Sequence, residues 1–461
     1  MFGVSKELKI HFIGIGGIGM SGIAEILLNL GYKVSGSDLS ESQNVTKLKK
    51  QGAEIYIGHK AENINEVQIV VYSSAIDASN PEIQKAQQTK IPIIKRAEML
   101  AELMRLKYGI AIAGSHGKTT TTSFVSTIFK KLDLKPTCIV GGIVKNLGSQ
   151  AVNGDGEFLI AEADESDGSF LYLNPIMSVI TNIDNDHLDY YKTTENIHNA
   201  FTEFSNKIPF YGKVALNGDD PASMEIINTI KRPYVTFGIE NNNLDYQAID
   251  INFDENGSSF TVVYDENKYA VRIALAGNHN VLNALAAIAI SHECGLALVE
   301  VTKAIGTFEG VARRFETLHN KEDFIIVDDY GHHPTEIKAT LKTAKQKYPQ
   351  HEVHVIFEPH RYSRTKEHWD DFIQSFTDVD EVYISPIYAA SEKPIEYIDS
   401  EILVKKINEH SNNAFYLPNW DNLEKMFNER RDSKVVLLSL GAGAISRVVR
   451  KKIESWASSQ T

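Results

Sequence analysis

Two glycine-rich turns, each placed between an apolar strand and a helix, constrain this 461-residue chain more than any other feature. One lies in "IHFIGIGGIGMSG" near the N-terminus, and the other lies in "GIAIAGSHGKTTTTSF", which begins at Gly109. A buried strand that enters a glycine turn and then a helix is the first step of a parallel βαβ sheet. Because further strands and helices follow each turn, the two turns predict two separate sheets.

A third alternation of strands and helices follows, with the strands "FIIVDDY", "EVHVIFEP", "EVYISP" and "KVVLLSLG". A single hydrophobic core rarely grows beyond about 250 residues, so a chain of this length is expected to divide. We predict three α/β domains in series, over residues 1–107, 108–315 and 316–461. The central domain also contains a β-rich stretch, with turn signals such as "NGDDP" and "DENGSS".

The composition excludes several classes of protein. A net charge of -13 argues against sequence-independent binding to nucleic acid, which depends on basic patches. The 2 cysteines, in unrelated contexts, form neither a disulfide framework nor a zinc pattern, which favours a reducing cytoplasm. The chain has no apolar run of about 20 residues, so we predict no membrane insertion.

The second glycine turn has the composition of a phosphate-binding loop. Gly117, Lys118 and Thr119 match the end of the Walker pattern, but Ile112 stands where its first glycine is expected, and Gly114 opens a shorter loop. Backbone N–H groups at a helix N-terminus bind phosphate, a lysine reaches the β- and γ-phosphates, and a hydroxyl ligates a metal ion. The loop therefore predicts a nucleoside triphosphate site, and the alternative is an ordinary strand-to-helix turn with a surface lysine.

Acidic residues follow the next two predicted strands. The stretch "EADESD" contributes Glu162, Asp164, Glu165 and Asp167, and "NIDNDHLD" contributes Asp184, Asp186, His187 and Asp189. A single acidic cluster is more often a solvated loop, but ligands of open α/β sheets bind beyond the carboxyl ends of the strands. Three successive strand ends thus predict one crevice that holds phosphates and a metal ion.

The first glycine turn has the spacing of a dinucleotide-binding loop. Gly14, Gly16 and Gly19 form GxGxxG, and Asp38 follows at the end of the second predicted strand. Three interpretations remain open: a nicotinamide cofactor, a purely structural glycine turn, and a pyrophosphate that belongs to another ligand.

Four motifs together, "GSHGKTTTT", "EADESD", "TNIDNDHLD" and "GNHNVLNALAA", resemble the Mur ligases, the ATP-dependent amide-forming enzymes of bacterial peptidoglycan synthesis. The resemblance extends over all three segments. It implies an α/β fold with a Rossmann-like N-terminal domain, a P-loop-type central ATPase domain, and a Rossmann-like C-terminal domain that closes on ATP and the amino acid. It also implies a cytoplasmic enzyme.

The resemblance implies roles for individual residues of the central loop and its surroundings. For ATP binding it indicates Gly114, Ser115, His116, Gly117, Lys118, Thr119, Thr120, Asn278, His279 and Asp329. Among these, Lys118 contacts the γ-phosphate. The expected metal is Mg²⁺, as two ions and with Mn²⁺ as an alternative, held by Thr119, Glu162 and His187.

The resemblance gives the N-terminal loop a UDP-sugar. The residues concerned are Gly14, Gly16, Gly17, Gly19, Asp38, His59, Ser73 and Ser74. In the third segment, Arg314, His332, Arg361 and Arg364 are expected around a lactyl carboxylate and an incoming amino acid. Arginine matches the geometry of carboxylates, and His332 is a candidate base for the amine.

Two features favour one branch of the family. Phe201 stands where several Mur ligases have a carbamylated lysine, and the member that adds the first amino acid is similar in lacking it. "DDYGHHPTE" and "EPHRYSRT" also resemble that member, whose partners are UDP-N-acetylmuramate, L-alanine and ATP. The alternatives are a recycling ligase that adds a whole peptide, a nicotinamide-dependent dehydrogenase, and a nucleotide-switched interaction protein.

Overall fold

The strands of the described residues form three sheets, one for each predicted domain. The structure is a computed structural model, and it describes residues 7–73, 75–144, 149–321 and 323–458. Within these ranges, no helix combines the length and the apolar composition that crossing a membrane requires.

The first sheet is entirely parallel. Its strands are β1 (Lys9–Ile13), β2 (Lys33–Asp38), β3 (Glu54–Ile57), β4 (Ile69–Tyr72) and β5 (Ile93–Lys95). They lie in the order β3-β2-β1-β4-β5, with parallel pairing throughout. The strand order reverses at β1, so the turn after β1 lies at the point where doubly wound sheets bind ligands.

The second sheet has the order β15-β14-β13-β12-β11-β10-β6-β9-β7-β8. Its strands are β6 (Tyr108–Ala113), β7 (Thr137–Val144), β8 (Ser149–Val152), β9 (Phe158–Glu162), β10 (Met177–Ile180), β11 (Lys213–Asn217), β12 (Tyr234–Gly238), β13 (Tyr246–Asp254), β14 (Gly257–Tyr264) and β15 (Asn267–Ile273). β6 lies between β10 and β9 in parallel pairing. The three strands whose ends carry the central loop and the two acidic motifs are therefore neighbours.

The third sheet has the order β16-β17-β21-β18-β19-β20 and is parallel except for β16. Its strands are β16 (Glu316–Lys321), β17 (Phe324–Asp329), β18 (Glu352–Phe357), β19 (Glu381–Ile384), β20 (Ala414–Tyr416) and β21 (Val435–Leu440). Every residue of β17 and β21 is buried, as expected for central parallel strands that are covered on both faces.

Helices connect the strands of all three sheets. They are α1 (Ile18–Asn29), α2 (Gln43–Lys50), α3 (Pro81–Gln88), α4 (Arg96–Met104), α5 (Lys118–Lys131), α6 (Leu188–Tyr191), α7 (Thr194–Asn206), α8 (Pro221–Ile226), α9 (Asn278–Glu293), α10 (Leu298–Ile305), α11 (Pro334–Lys347), α12 (Tyr362–Glu367), α13 (Trp369–Ser375), α14 (Ser400–Asn408), α15 (Leu423–Arg430) and α16 (Ile445–Ser458). α11 begins at a proline, as the sequence predicts, because proline lacks the N–H that a first-turn residue would leave unbonded.

The chain divides into two compact units. The first contains residues up to Ile251, with Phe260–Ile273 and Leu282–Glu309, and the second contains Asn252–Ser259, Ala274–Val281 and the residues from Gly310 onward. The first sheet and most of the second lie in one unit, in which α1 packs on β8 and a Cβ on Gly22 would lie 3.0 Å from the Cβ of Ala151. One hydrophobic cluster accordingly runs through both sheets.

Candidate active site

The central loop has a backbone that only glycine adopts easily at two of its positions. Gly114 has φ +131° and Gly117 has φ +83°. A Cβ on Gly114 would lie 2.0 Å from Oγ1 of Thr181, and a Cβ on Gly117 would lie 2.3 Å from Oδ1 of Asn283. The loop therefore needs glycine for its conformation and for its close contact with neighbouring groups.

Hydrogen bonds from the residues after β10 hold the loop in place. The N–H of Ser115 donates to the carbonyl of Asn182 at 3.0 Å, and the N–H of His116 donates to Oδ1 of the same residue at 2.9 Å. The Asp184 N–H donates to Oγ of Ser115 at 2.8 Å, and the Asp184 carboxylate lies 3.0 Å from Nε2 of His116. Ser115 and His116 are thus fixed by the neighbouring strand end.

Lys118 begins α5 and turns its ammonium group back into the loop. Its Nζ donates to the carbonyls of Gly114 at 2.7 Å and Ser115 at 3.2 Å, and to Oε1 of Glu165 at 2.7 Å. Burial lowers the pKa of Lys118, but the carboxylates of Glu165 and Asp164 outweigh that effect and hold the pKa above its usual value. The lysine is therefore a permanent cation at the centre of the loop.

Glu165 is the residue of this site whose role the sequence did not predict. It is only 3 % exposed, and its Oε2 has no hydrogen-bond partner among the described residues. Burial raises the pKa of Glu165 to about 7, against the attraction of Lys118. A buried carboxylate oxygen without a partner is costly, so the site is built to receive a ligand or a proton there.

The proposed metal ligands lie around this ion pair. Glu162 accepts a hydrogen bond from the Gly141 N–H at 2.7 Å, and Nε2 of His187 lies 3.7 Å from Oε1 of Glu165. Thr119 and Thr120 are buried in the first turn of α5. This arrangement fits a nucleoside triphosphate with a divalent ion, because it combines a buried cation, neighbouring carboxylates and a glycine loop.

A glycine-to-alanine pair tests the central loop. Gly117→Ala adds a Cβ at positive φ against Asn283, whereas Gly295→Ala adds one at φ +89° with nothing within 4 Å. We expect Gly117→Ala to lower the free energy of unfolding by about 2–3 kcal/mol and to raise the KM for ATP at least about tenfold. We expect Gly295→Ala to cost about 1 kcal/mol and to leave KM unchanged. Equal KM values in the two variants would contradict this role of Gly117.

The N-terminal loop is bonded to the end of β2. The N–H groups of Gly14 and Ile15 donate to the carbonyl of Ser37 at 2.8 and 3.0 Å. The Gly16 N–H donates to Oδ2 of Asp38 at 2.8 Å, and a Cβ on Gly16 would lie at the same distance from that oxygen. Asp38 therefore shapes the loop through its carboxylate, and its contact with a ribose stays a prediction.

The other predicted residues of this region border the same loop. Gly17 is the N-cap of α1, and a Cβ on Gly19 would lie 2.9 Å from Nη1 of Arg96, which the sequence analysis did not single out. Oγ of Ser73 lies 3.8 Å from the Cβ position of Gly14. Nδ1 of His59 lies 2.9 Å from Oγ of Ser37. Ser74 lies outside the described residues.

In the second unit, Asp329 ends β17 and organises the turn that follows. Its Oδ2 accepts from the Phe315 N–H at 2.7 Å, and its Oδ1 accepts from the Gly331 N–H at 2.8 Å. Burial raises the pKa of Asp329 to about 6, although Arg314 opposes the shift. Arg314 itself lies over the ring of Tyr330, with its guanidinium carbon 5.1 Å from the centroid. The predicted ribose contact of Asp329 stays a prediction.

Asn278 and His279 begin α9 and belong to the same unit as Asp329. Gly277 precedes them at φ +99°, and a Cβ there would lie 2.3 Å from Oγ1 of Thr343. Burial lowers the pKa of His279 to about 4, and the charge of Arg314 adds to the shift. His279 is therefore a neutral ring at pH 7, and its contact with adenine stays a prediction.

The neighbours of His332 determine which of its ring nitrogens carries the proton. Its Nδ1 lies 3.1 Å from the carbonyl oxygen of Tyr330, which can only accept, so Nδ1 carries the proton. Burial lowers the pKa of His332 to about 4, with a further contribution from Arg364 and against the carboxylate of Glu336. The neutral ring then has its lone pair on Nε2.

Arg364 and His360 accompany His332, whereas Arg361 is exposed. The rings of His332 and His360 are 6.0 Å apart, and Tyr388 stacks on His360 at 5.4 Å with an interplanar angle of 9°. Arg361 has φ +70° and donates its N–H to the carbonyl of Tyr388 at 2.8 Å. Burial lowers the pKa of His360 to about 4, and the charges of Arg364 and Arg361 add to the shift. The region is thus cationic around neutral imidazoles.

Three models of one protein family match this chain in succession. The Mur ligase family catalytic domain matches residues 9–108, the Mur ligase middle domain matches 112–291, and the Mur ligase glutamate ligase domain matches 313–443. The chain belongs to the Mur ligase family. The resemblance that its four motifs indicate is confirmed, and with it an ATP-dependent ligase activity.

Relatives of this Mur ligase match it over most of its length. A UDP-N-acetylmuramate–L-alanine ligase of Geobacter sp. (strain M21) is 46% identical over 445 residues, which cover 96% of each chain. One of Geotalea uraniireducens is 50% identical over 406 residues, which cover 88% of each chain.

Solved structures share the fold. The UDP-N-acetylmuramate–alanine ligase MurC of Thermotoga maritima has a TM-score of 0.83 at 30% identity, over 98% of this chain and 100% of that chain. A murein peptide ligase of Psychrobacter arcticus has a TM-score of 0.71 at 23% identity, over 97% and 98%, and shows likeness of fold alone. The predicted α/β fold with three domains in series is confirmed.

Proposed function

We propose that this Mur ligase joins L-alanine to the lactyl carboxylate of UDP-N-acetylmuramate at the expense of ATP. The observation that carries the proposal is the presence of two glycine-built anion cradles in one chain. The first, at Gly14–Gly19, suits the diphosphate of a UDP-sugar, and the second, at Gly114–Lys118, suits the triphosphate of ATP. The names of the relatives support the same assignment.

The first step is attack by a lactyl carboxylate oxygen on the γ-phosphorus of ATP, which gives an acyl phosphate and ADP. Both reactants are anions, so their repulsion has to be offset. Lys118 supplies a buried, permanently charged ammonium group for the γ-phosphate. Thr119, Glu162 and His187 would hold Mg²⁺, as two ions and with Mn²⁺ as an alternative, and the metal would neutralise phosphate charge there.

In the second step the amine of L-alanine attacks the acyl carbon, an amide forms, and phosphate leaves. The amine has to lose its protons, and Nε2 of His332 is the proposed acceptor because Nδ1 is committed to the Tyr330 carbonyl. Arg314, Arg361 and Arg364 are proposed to hold the carboxylates of the sugar and the amino acid. Closure of the C-terminal domain on ATP and the amino acid stays a prediction, as does the cytoplasmic location.

A coupled assay of ADP release tests the proposed function. We expect turnover only when ATP, UDP-N-acetylmuramate and L-alanine are all present, and one phosphate released for each amide formed. ADP release without the sugar would favour a nucleotide-switched interaction protein. A tripeptide that replaces L-alanine with equal kcat/KM would favour the recycling ligase.

The dehydrogenase alternative rests on the first glycine turn alone. Nicotinamide fluorescence gives a direct test, because NADH bound at that turn would change its emission. We expect no saturable change in NADH emission when protein is added, and we expect UDP to bind with the same affinity whether or not NADH is present. Tight NADH binding that UDP displaces would contradict the proposed occupant of the loop.

A further inference from the structure

A fully buried acid lies beneath the first glycine turn, and the proposed chemistry does not use it. Glu82, in the first turn of α3, has no exposed surface. It accepts hydrogen bonds from Oγ of Ser37 at 2.6 Å, from Nδ2 of Asn63 and from the Lys60 N–H at 3.4 Å. Burial raises the pKa of Glu82, but the nearby His11 ring, with Nε2 3.7 Å from Oε2, and the hydrogen bonds from Ser37 and Asn63 outweigh that and hold the pKa below its usual value. The buried group is therefore a carboxylate.

Ser37 transmits the charge of this carboxylate to a ring at the loop. A hydroxyl has one proton, and that of Ser37 is directed at Glu82, which can only accept. Oγ of Ser37 also lies 2.9 Å from Nδ1 of His59, so in that hydrogen bond the serine oxygen accepts and Nδ1 donates. A neutral imidazole bonded in this way carries its proton on Nδ1 and its lone pair on Nε2.

The lone pair of His59 is directed away from the buried network. The ring keeps 13% of its side-chain surface exposed, and both its hydrogen bond to Ser37 and its 3.5 Å approach to Oε2 of Glu82 involve Nδ1. His59 follows Gly58, whose N–H donates to the carbonyl of Asp38 at 2.8 Å, and the ring is bonded to Ser37, whose carbonyl accepts the N–H groups of Gly14 and Ile15. A base bound beyond the carboxyl ends of β2 and β3 would therefore meet the Nε2 of this ring.

We propose that Glu82 and Ser37 are positioning residues that make His59 select uracil over cytosine. N3 of uracil carries a proton and donates to an acceptor, whereas N3 of cytosine is itself an acceptor and would face the lone pair of Nε2. A site built for one hydrogen-bonding pattern rejects the base that lacks it. The inference rests on the proposed function, because it takes the ligand of this loop to be a uridine diphosphate.

Glu82→Gln should reverse the directions of the hydrogen bonds from residue 82 to Ser37 and His59, while the side chain keeps its size and shape. The amide oxygen would face the donors of Asn63 and Lys60, so the amide N–H₂ would donate to Ser37. The Ser37 proton would then turn to Nδ1 of His59, and the ring proton would move to Nε2. The variant is thus expected to present a donor where the natural protein presents an acceptor.

Calorimetric titration with UDP and with CDP tests the inference. We expect the unmodified protein to bind UDP at least about tenfold more tightly than CDP. In Glu82→Gln we expect that ratio to fall to about one or below, and in Ser37→Ala we expect it to fall as well. Ser178→Ala is the matched control, because Ser178 is equally buried, lies on β10 of the second sheet and takes no part in this network. It should keep the full ratio.

The outcomes separate the two proposals. Failure of the unmodified protein to bind UDP would overturn the proposed function, and this inference with it. UDP binding with an unchanged ratio in Glu82→Gln would overturn the inference alone. Nitrogen NMR of protein labelled at histidine tests the proton position without a variant of Glu82 or Ser37. The signal of His59 is assigned by its loss in His59→Gln. A proton on Nδ1 is expected, and a proton on Nε2 would overturn the inference.

Discussion

Lys118→Ala is expected to lower kcat/KM for amide formation by at least about 10³-fold, while the affinity for UDP changes less than about twofold. The reason is that Lys118 is a buried cation whose ammonium group is bonded to two carbonyls of the central loop. The N-terminal loop makes its own backbone hydrogen bonds to β2 and does not depend on this lysine. Initial rates and a UDP titration measure the two effects.

The variant should remain folded, which makes the test informative. Removal of Lys118 leaves Glu165 buried, but burial already raises the pKa of that carboxyl to about 7, and loss of the cation raises it further. Glu165 therefore takes up a proton at neutral pH and does not remain as an unpaired buried charge. Lys131→Ala, at the exposed end of the same helix, is the control and should keep full activity. Ordinary turnover of Lys118→Ala would refute the role of the lysine.

Glu162→Gln is expected to lower kcat at least about 10²-fold and to raise the Mg²⁺ concentration needed for half-maximal activity. The amide oxygen can still accept the hydrogen bond from the Gly141 N–H, so the strand end should keep its shape. What the variant loses is the negative charge that a hard divalent cation prefers. Activity measured against Mg²⁺ concentration separates a weaker metal site from a misfolded protein.

A neighbouring acid provides the control for this variant. Glu157→Gln makes the same chemical change at the exposed residue before β9, and we expect its Mg²⁺ dependence to match that of the unmodified protein. If Glu162→Gln and Glu157→Gln have the same Mg²⁺ requirement, Glu162 is not a metal ligand.

The sequence was most informative where one short segment carries a complete physical signal. The stretch "KVSGSD" predicts a strand that the structure forms at Lys33–Asp38, and Pro334 begins α11 as predicted. Such signals are local, because apolar residues, glycine and proline act within one turn or one strand. The packing of the first two sheets into one unit has no such signal, since the contact of Gly22 with Ala151 joins residues far apart in sequence.

The position of Phe201 illustrates the same limit. From the sequence, this residue marks only the absence of a lysine that other Mur ligases carry. In the structure it has no exposed surface and packs on Phe170, with the ring centroids 5.2 Å apart. The place is part of the core of this protein, which composition alone does not reveal.

The sequence by itself determined which groups this protein possesses: two glycine turns, a loop lysine, and carboxylates at successive strand ends. Only the tertiary structure decided which of them meet. One acid ends β9 and three follow it, yet Glu165 is the one whose buried carboxylate accepts a hydrogen bond from Lys118. Likewise, Ser37 and Glu82 are ordinary polar residues in the sequence. They determine the proton position on His59 only because parallel pairing brings β2 beside β1 and the start of α3 beneath them both.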